Sequence, residues 1–113
     1  MAIISFSKTR AEFLSGKKTM TRRDWSCKQF NIWRGFWKHG NLIHDAYDNN
    51  PRNGGLKIGE FQLTCFPYRE MLQDMTEDDL KAEGGMCKTI EEFCKFIGKT
   101  PETVVTVIRF KKI

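Results

Sequence analysis

Residues 16–23, with the sequence GKKTMTRR, are the part of the chain best suited to chemistry. Half of them are Lys or Arg, and clustered cations favour the approach of phosphates and stabilise developing negative charge. The Gly-Lys pair also occurs in phosphate-binding loops, but that motif needs Gly at position 11 and Ser or Thr at position 18. The chain has Ala11 and Lys18 there, which excludes a phosphate loop.

The longer segment 13–23 (FLSGKKTMTRR) resembles the opening signature of the ASCH superfamily, relatives of the RNA-binding PUA domains. Residues 57–59 (KIG) before an alternating segment are similar to a second block of that superfamily, and residues 82–84 (AEG) resemble a third. Together the three blocks span nearly the whole chain. The resemblance implies an α+β fold, a small PUA-like (ASCH) mixed β-barrel with flanking helices.

Within that superfamily the sequence is most similar to small bacterial amidohydrolases that remove the acyl group from N4-acetylcytidine. The resemblance implies a triad of Lys18, Thr21 and Glu83, with no metal or organic cofactor. Thr21 would attack the acyl carbon and Lys18 would act as general base, if burial or nearby cations lower the pKa of its amine. Glu83 would orient Lys18 or carry a proton to the departing cytidine amine.

Four further residues are expected to bind the substrate: Lys17, Arg22, Arg23 and Trp25. The Arg23 guanidinium could steady an oxyanion or the pyrimidine carbonyl, and Trp25 could stack on the base. A second group of aromatic residues falls at helical spacing, which favours packing into the core over base stacking. These are Phe30, Trp33, Phe36 and Trp37.

The triad requires an irregular backbone between Lys18 and Thr21. Residues three apart on a regular strand point to opposite faces, which would separate Lys18 from Thr21. The proposal therefore requires a turn or bulge near Lys18 or Thr19, and Gly16 is suited to a turn. The chain also has a longer aromatic segment at 25–37 and a longer loop at 49–55 than expected of the compact enzymes, and both could line the pocket.

Two other functions are compatible with the same residues. One is a non-catalytic RNA-binding module that uses the same basic cleft. The other is a metal-independent ribonuclease, in which His39 and His44 supply acid and base, although their spacing does not favour this. A purely structural interpretation also stands, in which Lys18 is a solvated turn charge and Glu83 pairs with a cation on a helix surface.

Composition and charge set the wider limits. With 113 residues, 40% hydrophobic and 29% charged, the chain fits one domain, 1–113. The net charge of +5 favours an anionic partner such as RNA or a nucleotide, and the family resemblance implies a modified nucleoside or RNA. No segment is long and apolar enough for a signal peptide or a membrane span, so we expect a cytoplasmic protein, a monomer or weak dimer, with no membrane partner.

The cysteines and histidines do not suggest a metal site. Cys27, Cys65, Cys87 and Cys94 form no CxxC pair, and no close ligand pair joins any of them to a histidine. We therefore expect reduced, mostly buried thiols.

Strands and helices are predicted in alternation. Alternating or β-prone residues predict strands at 2–6, 19–23, 42–47, 58–66 and 103–110. Helices are predicted from the capping residues Thr9 with Glu12, Thr76 with Asp79 and Thr89 with Glu92, and from the aromatic spacing at 29–38. The clearest helix has one apolar stripe, formed by Ile90, Phe93, Cys94 and Ile97.

Overall fold

The computed structural model describes residues 2–113, in which strands and helices follow the order β1-α1-β2-α2-β3-β4-β5-α3-α4-β6. The strands are β1 (Ile3–Ser5), β2 (Met20–Arg23), β3 (Ile43–Tyr47), β4 (Lys57–Leu63), β5 (Tyr68–Met71) and β6 (Val104–Lys112). The helices are α1 (Arg10–Leu14), α2 (Cys27–Lys38), α3 (Glu77–Ala82) and α4 (Ile90–Ile97), with short 3-10 turns at Pro51–Asn53 and Leu72–Asp74.

Strand β6 is the centre of the sheet. It pairs antiparallel with β2 along residues 106–109, with β5 along 104–107 and with β4 along 110–112. Because residues 106 and 107 pair with both β2 and β5, these two strands lie on opposite edges of β6. Beyond β4 the sheet continues through antiparallel β3 to parallel β1.

The fold is α+β, as predicted, but its sheet does not close into a barrel. Its two ends are β1 and β2, which do not pair with each other within residues 2–113. A side chain bridges this gap, since Arg23 Nη2 donates a hydrogen bond to the Ser5 carbonyl oxygen at 2.7 Å. Strand β2 therefore has a free edge on the side away from β6.

Apolar residues cover both faces of β6, as its sequence predicts. Ile108 and Phe110 belong to one buried cluster with Phe6, Trp33 and other large residues. Val105 belongs to a second cluster, which α3 and α4 complete. In α4 the predicted stripe is confirmed, because Phe93 and Cys94 are buried in this cluster while Ile90 and Ile97 pack against it.

Three sequence predictions need correction. The Thr9 side chain makes no cap hydrogen bond, so the capping box predicted for α1 is wrong, although Thr76 and Asp79 form the one predicted for α3. Strand β4 ends at Leu63, three residues early, and β5 was not predicted. The expectation of mostly buried thiols holds for Cys87 and Cys94, whereas Cys27 is exposed and Cys65 is partly buried.

Size and hydropathy agree with the sequence. The Cα radius of gyration is 13.4 Å, the value expected for a folded chain of this length. Among the helices of residues 2–113, none is long and apolar enough to cross a membrane.

Candidate active site

A cavity of about 280 Å³ opens along the free edge of β2. The segment that follows β1 forms one wall, and α4 with the connection before it forms the other. We call this cavity the β2 cleft. Its charged and hydroxyl lining includes Ser5, Lys8, Lys18, Thr21, Arg22, Arg23, Asp24, Glu83 and Lys99. Its apolar lining includes Phe6, Met86, Phe93 and Phe96.

The turn that the triad requires is present before β2. Gly16 has φ of +79°, and the Lys18 N–H donates to the Glu12 carbonyl oxygen at 3.1 Å. The Thr19 N–H then donates to the Ala82 carbonyl oxygen at 2.7 Å, at the end of α3. The backbone becomes regular strand only at Met20. Lys18 therefore escapes strand alternation and lines the same cleft as Thr21.

Lys18 and Glu83 form a buried ion pair. Lys18 Nζ donates to Glu83 Oε2 at 2.7 Å and to the Glu83 carbonyl oxygen at 2.9 Å. Each side chain is only 3% exposed. Burial lowers the pKa of Lys18 below its usual value, although the Glu83 carboxylate acts in the opposite direction. Lys18 thus gives up its proton more easily than a surface lysine.

The backbone around Glu83 allows this close approach. Glu83 caps the C-terminus of α3, and Gly84 follows with φ of +130°. A Cβ atom on Gly84 would lie 2.9 Å from Glu12 Cγ. Only glycine fits there without displacing α1, and this contact brings α1, α3 and the Lys18 turn together.

Thr21 and Arg23 point to the same face of β2, as residues two apart on a strand do. Arg23 Nε donates to Thr21 Oγ1 at 3.0 Å, and the guanidinium lies 5.6 Å from the Phe6 ring centroid. Burial lowers the pKa of Arg23, which lacks a carboxylate in ion-pair contact within the described chain. The cleft therefore contains a guanidinium that has no carboxylate partner in the described chain and that lies beside a hydroxyl group.

Arg22 borders the β2 cleft, but both of its terminal nitrogens face acidic side chains. Its Nη2 lies 2.6 Å from Glu70 Oε1 and 3.1 Å from Asp79 Oδ2, and its Nη1 lies 3.5 Å from Glu83 Oε1. Its side chain has no solvent exposure. Arg22 was expected to bind substrate, but its contacts hold acidic side chains, including Glu83, in place.

Asp79 connects this network to a second arginine. Arg109 Nη2 lies 3.0 Å from Asp79 Oδ1, and Arg109 Nε donates to the Tyr68 hydroxyl at 3.1 Å. Burial raises the pKa of Asp79, but hydrogen bonds from Thr76 and Arg109 and the nearby Arg22 outweigh this, so the pKa is lowered. Sequence reasoning missed Glu70, Asp79 and Arg109. The signal available in the sequence was strand alternation, which places the Arg22 and Thr21 side chains on opposite faces of β2.

Two predicted substrate-binding residues lie outside the β2 cleft. Lys17 is exposed and lines a shallow depression formed with α1 and Gly84. Trp25 packs against the main core, with its ring stacked on Trp33 at 5.3 Å between centroids. The Trp25 ring therefore packs against Trp33. Neither Lys17 nor Trp25 lines the cavity that contains the triad.

The two histidines also lie elsewhere. His44 is buried, its Nδ1 accepts a hydrogen bond from the Ala2 N–H at 3.1 Å, and its Nε2 lies 2.7 Å from the Asn41 carbonyl oxygen. His39 is exposed at the C-terminus of α2. Neither lines the β2 cleft, so acid–base roles for them there have no structural support.

A metal site does not emerge from the described residues. Within 2–113, no group of three or more His, Cys, Asp or Glu side chains is arranged to hold a metal ion. Burial raises the pKa of Cys65, Cys87 and Cys94, which disfavours the thiolate that metals bind.

Comparisons with known proteins support the fold. No family model and no curated protein matches the sequence. A crystal structure of an Enterococcus faecalis V583 protein of the family DUF984 is 14% identical, with a TM-score of 0.66 over 100% of this chain and 76% of that chain. An ASCH domain from Lactobacillus crispatus JV V101 is 16% identical, with a TM-score of 0.59 over 98% of this chain and 78% of that chain. The chain therefore has the ASCH fold.

Proposed function

We propose that the protein is an amidohydrolase that removes the acyl group from N4-acylated cytidine, such as N4-acetylcytidine, or from a related modified nucleoside. One observation carries the proposal: Lys18, Thr21, Arg23 and Glu83 line a single cavity, although residues 18 and 83 are far apart in the chain. An amine of lowered pKa, a hydroxyl group, a guanidinium and a carboxylate are the groups that acyl transfer needs.

The size of the cleft favours a small substrate. Pockets for small molecules start at about 300 Å³, so a cavity of about 280 Å³ suits one nucleoside-sized ligand. Both polar side chains and the rings of Phe6, Phe93 and Phe96 line it. A pyrimidine ring can pack against the aromatic wall while its acyl group reaches β2.

The first chemical step joins Thr21 to the acyl carbon. Lys18 first passes its proton to the Glu83 carboxylate, to which it is hydrogen-bonded, and becomes a neutral amine. Thr21 Oγ1 then attacks the carbonyl carbon as its own proton passes to Lys18. Within residues 2–113 no hydrogen bond joins Lys18 Nζ to Thr21 Oγ1, but contacts between catalytic groups often shorten only when substrate binds. Arg23 favours the step, because its hydrogen bond to Oγ1 stabilises the developing alkoxide.

The remaining steps release both products. The proton on Lys18 passes through Glu83 to N4 of cytidine as the C–N4 bond breaks, which leaves an acyl ester on Thr21. Water then attacks the ester as its proton goes to Lys18, and Lys18 returns this proton to Thr21 Oγ1 as the C–O bond to Thr21 breaks and the carboxylic acid leaves. The Arg23 guanidinium stabilises the oxyanion in both halves of the reaction.

The test is release of cytidine from N4-acetylcytidine, followed by chromatography. The main variant is Thr21→Val, which keeps the shape of the side chain and removes the hydroxyl. It should lower kcat/KM by at least about 100-fold. Thr19→Val is the matched control, because Thr19 is exposed just outside the strand, and it should stay within about twofold of wild type.

The amine is tested with a second matched pair. Lys18→Met should abolish turnover, whereas Lys17→Met should leave it intact, since Lys17 lies outside the β2 cleft. The proposal is wrong if wild type releases no cytidine from N4-acetylcytidine or from other N4-acylcytidines. It is also wrong if Thr21→Val and Thr19→Val are equally active.

A further inference from the structure

A second functional surface lies on α2, away from the triad. Helix α2 carries Lys28, Arg34 and Lys38 and has no acidic residue, although the net charge of the whole chain is only +5. None of these three, nor the neighbouring Arg69, forms an ion pair within residues 2–113. This region therefore carries four positive charges that have no ion-pair partner in the described part of the chain.

Aromatic rings alternate with these cations. The Arg34 guanidinium lies 4.7 Å from the Phe66 ring centroid and 5.3 Å from that of Phe30. Arg69 lies 4.9 Å from the Phe30 ring, and Lys38 Nζ lies 6.0 Å from that of Phe66. Phe30, Arg34, Lys38, Phe66 and Arg69 form one continuous surface, which we call the α2 strip.

Arg34 has unused hydrogen-bonding capacity. It lies between two rings, and its Nε is buried without a hydrogen-bond partner in the described chain. Such a group requires a partner, because an unsatisfied buried donor is costly. The flat guanidinium can offer N–H groups along its edge to a phosphate while its faces stay packed against the two rings.

We infer that the α2 strip binds a single-stranded nucleic acid. Cations without carboxylate partners attract the phosphates, and aromatic and guanidinium faces stack on unpaired bases. A duplex hides its bases and offers phosphates alone, so the aromatic rings of the strip favour a single strand. This inference does not depend on the amidohydrolase proposal.

The strip also has a defined position relative to the β2 cleft. Arg69 Nη2 donates to the Trp25 carbonyl oxygen at 3.5 Å, and the preceding residue, Asp24, lines the cleft. The Arg69 end of the strip therefore lies close to the β2 cleft. The two sites remain separable, since no strip residue lines the cavity.

The test measures binding of a fluorescent 12-nucleotide single-stranded RNA by anisotropy over a range of salt concentrations. Arg34→Gln/Lys38→Gln should weaken binding by about tenfold or more at low salt. It should also reduce the slope of log K against log salt by about 1.4, because each phosphate contact on a single strand contributes about 0.7. The matched control, Lys81→Gln/Lys88→Gln, removes two exposed charges from the α3–α4 region and should bind like wild type.

A stacking variant and two other probes complete the test. Phe66→Leu keeps an apolar side chain and should weaken binding to the single strand severalfold, with little effect on a duplex of the same sequence. The inference is wrong if wild type binds the duplex as well as the single strand, or if both charge variants weaken binding equally. It is also wrong if the strip charges are needed only for anionic lipid vesicles.

Discussion

Replacement of Lys18 by Met should destabilise the fold strongly, because it breaks the buried pair with Glu83. The substitution keeps the length and apolar stem of the side chain but removes the ammonium group. Glu83 would then retain only the longer contact to Arg22 Nη1, at 3.5 Å, beside a side chain that is 3% exposed. A buried carboxylate would lose its closest cation.

The size of the effect follows from that burial. Removal of one partner from a buried ion pair costs about 3 to 5 kcal/mol, since the other charge is left desolvated and poorly paired. A chain of this size loses about 3 to 5 °C of Tm for each kcal/mol. Lys18→Met should therefore lower Tm by about 9 to 25 °C.

A double-mutant cycle measures the pair itself. Tm and the free energy of unfolding in urea are compared for wild type, Lys18→Met, Glu83→Gln and the double variant. The double variant should recover much of the loss, because neutral groups replace both charges. Lys17→Met, one residue away and exposed, should change Tm by less than about 2 °C.

The cycle can refute the reasoning directly. If Lys18→Met and Lys17→Met have the same Tm, Lys18 is not buried against Glu83 in solution. If the two single changes are additive in the double variant, the two side chains do not interact. Either result would remove the geometric basis of the proposed active site.

Three further outcomes are expected. Burial lowers the pKa of His44, so the folded state binds its proton less readily than the unfolded chain; stability should be complete above about pH 6.5 and decrease below it in urea titrations. His44→Gln should flatten this dependence, and His39→Gln should not. Arg22→Lys should reduce the free energy of unfolding by about 2 to 4 kcal/mol, because a single ammonium cannot span the acidic groups that the guanidinium joins. Trp25→Leu should lower Tm through loss of stacking on the core while leaving the affinity for cytidine, measured by calorimetry, unchanged.

Local patterns predicted most of the elements but not the free edge of the sheet. The alternation in β4 and the apolar stripe of α4 correctly predict a strand and a helix, because each pattern reflects burial of one face of a regular element. Strand β5, only four residues long and with alternate residues exposed, has no comparable apolar pattern. Closure of the sheet depends on contacts between β1 and β2, about which neither strand's own sequence is informative.

The candidate site shows the same limit. Lys18 and Glu83 are 65 residues apart, so only the family resemblance, and no local spacing, could bring them together. Arg22 and Arg23 were grouped as substrate-binding residues, yet neighbours on a strand point to opposite faces. Arg23 reaches Thr21, whereas Arg22 reaches Glu70 and Asp79, whose positions depend on β5 and α3.

The central position of β6 constrains how the chain is assembled during translation. Strands β2, β4 and β5 leave the ribosome before the strand that joins them, and until then β2 has no neighbour in the sheet. Such late, long-range pairing slows folding and leaves strand edges open on the nascent chain. The sheet is thus completed only when residues 104–112 emerge, and on a ribosome stalled before that point β2, β4 and β5 would lack the strand with which they pair.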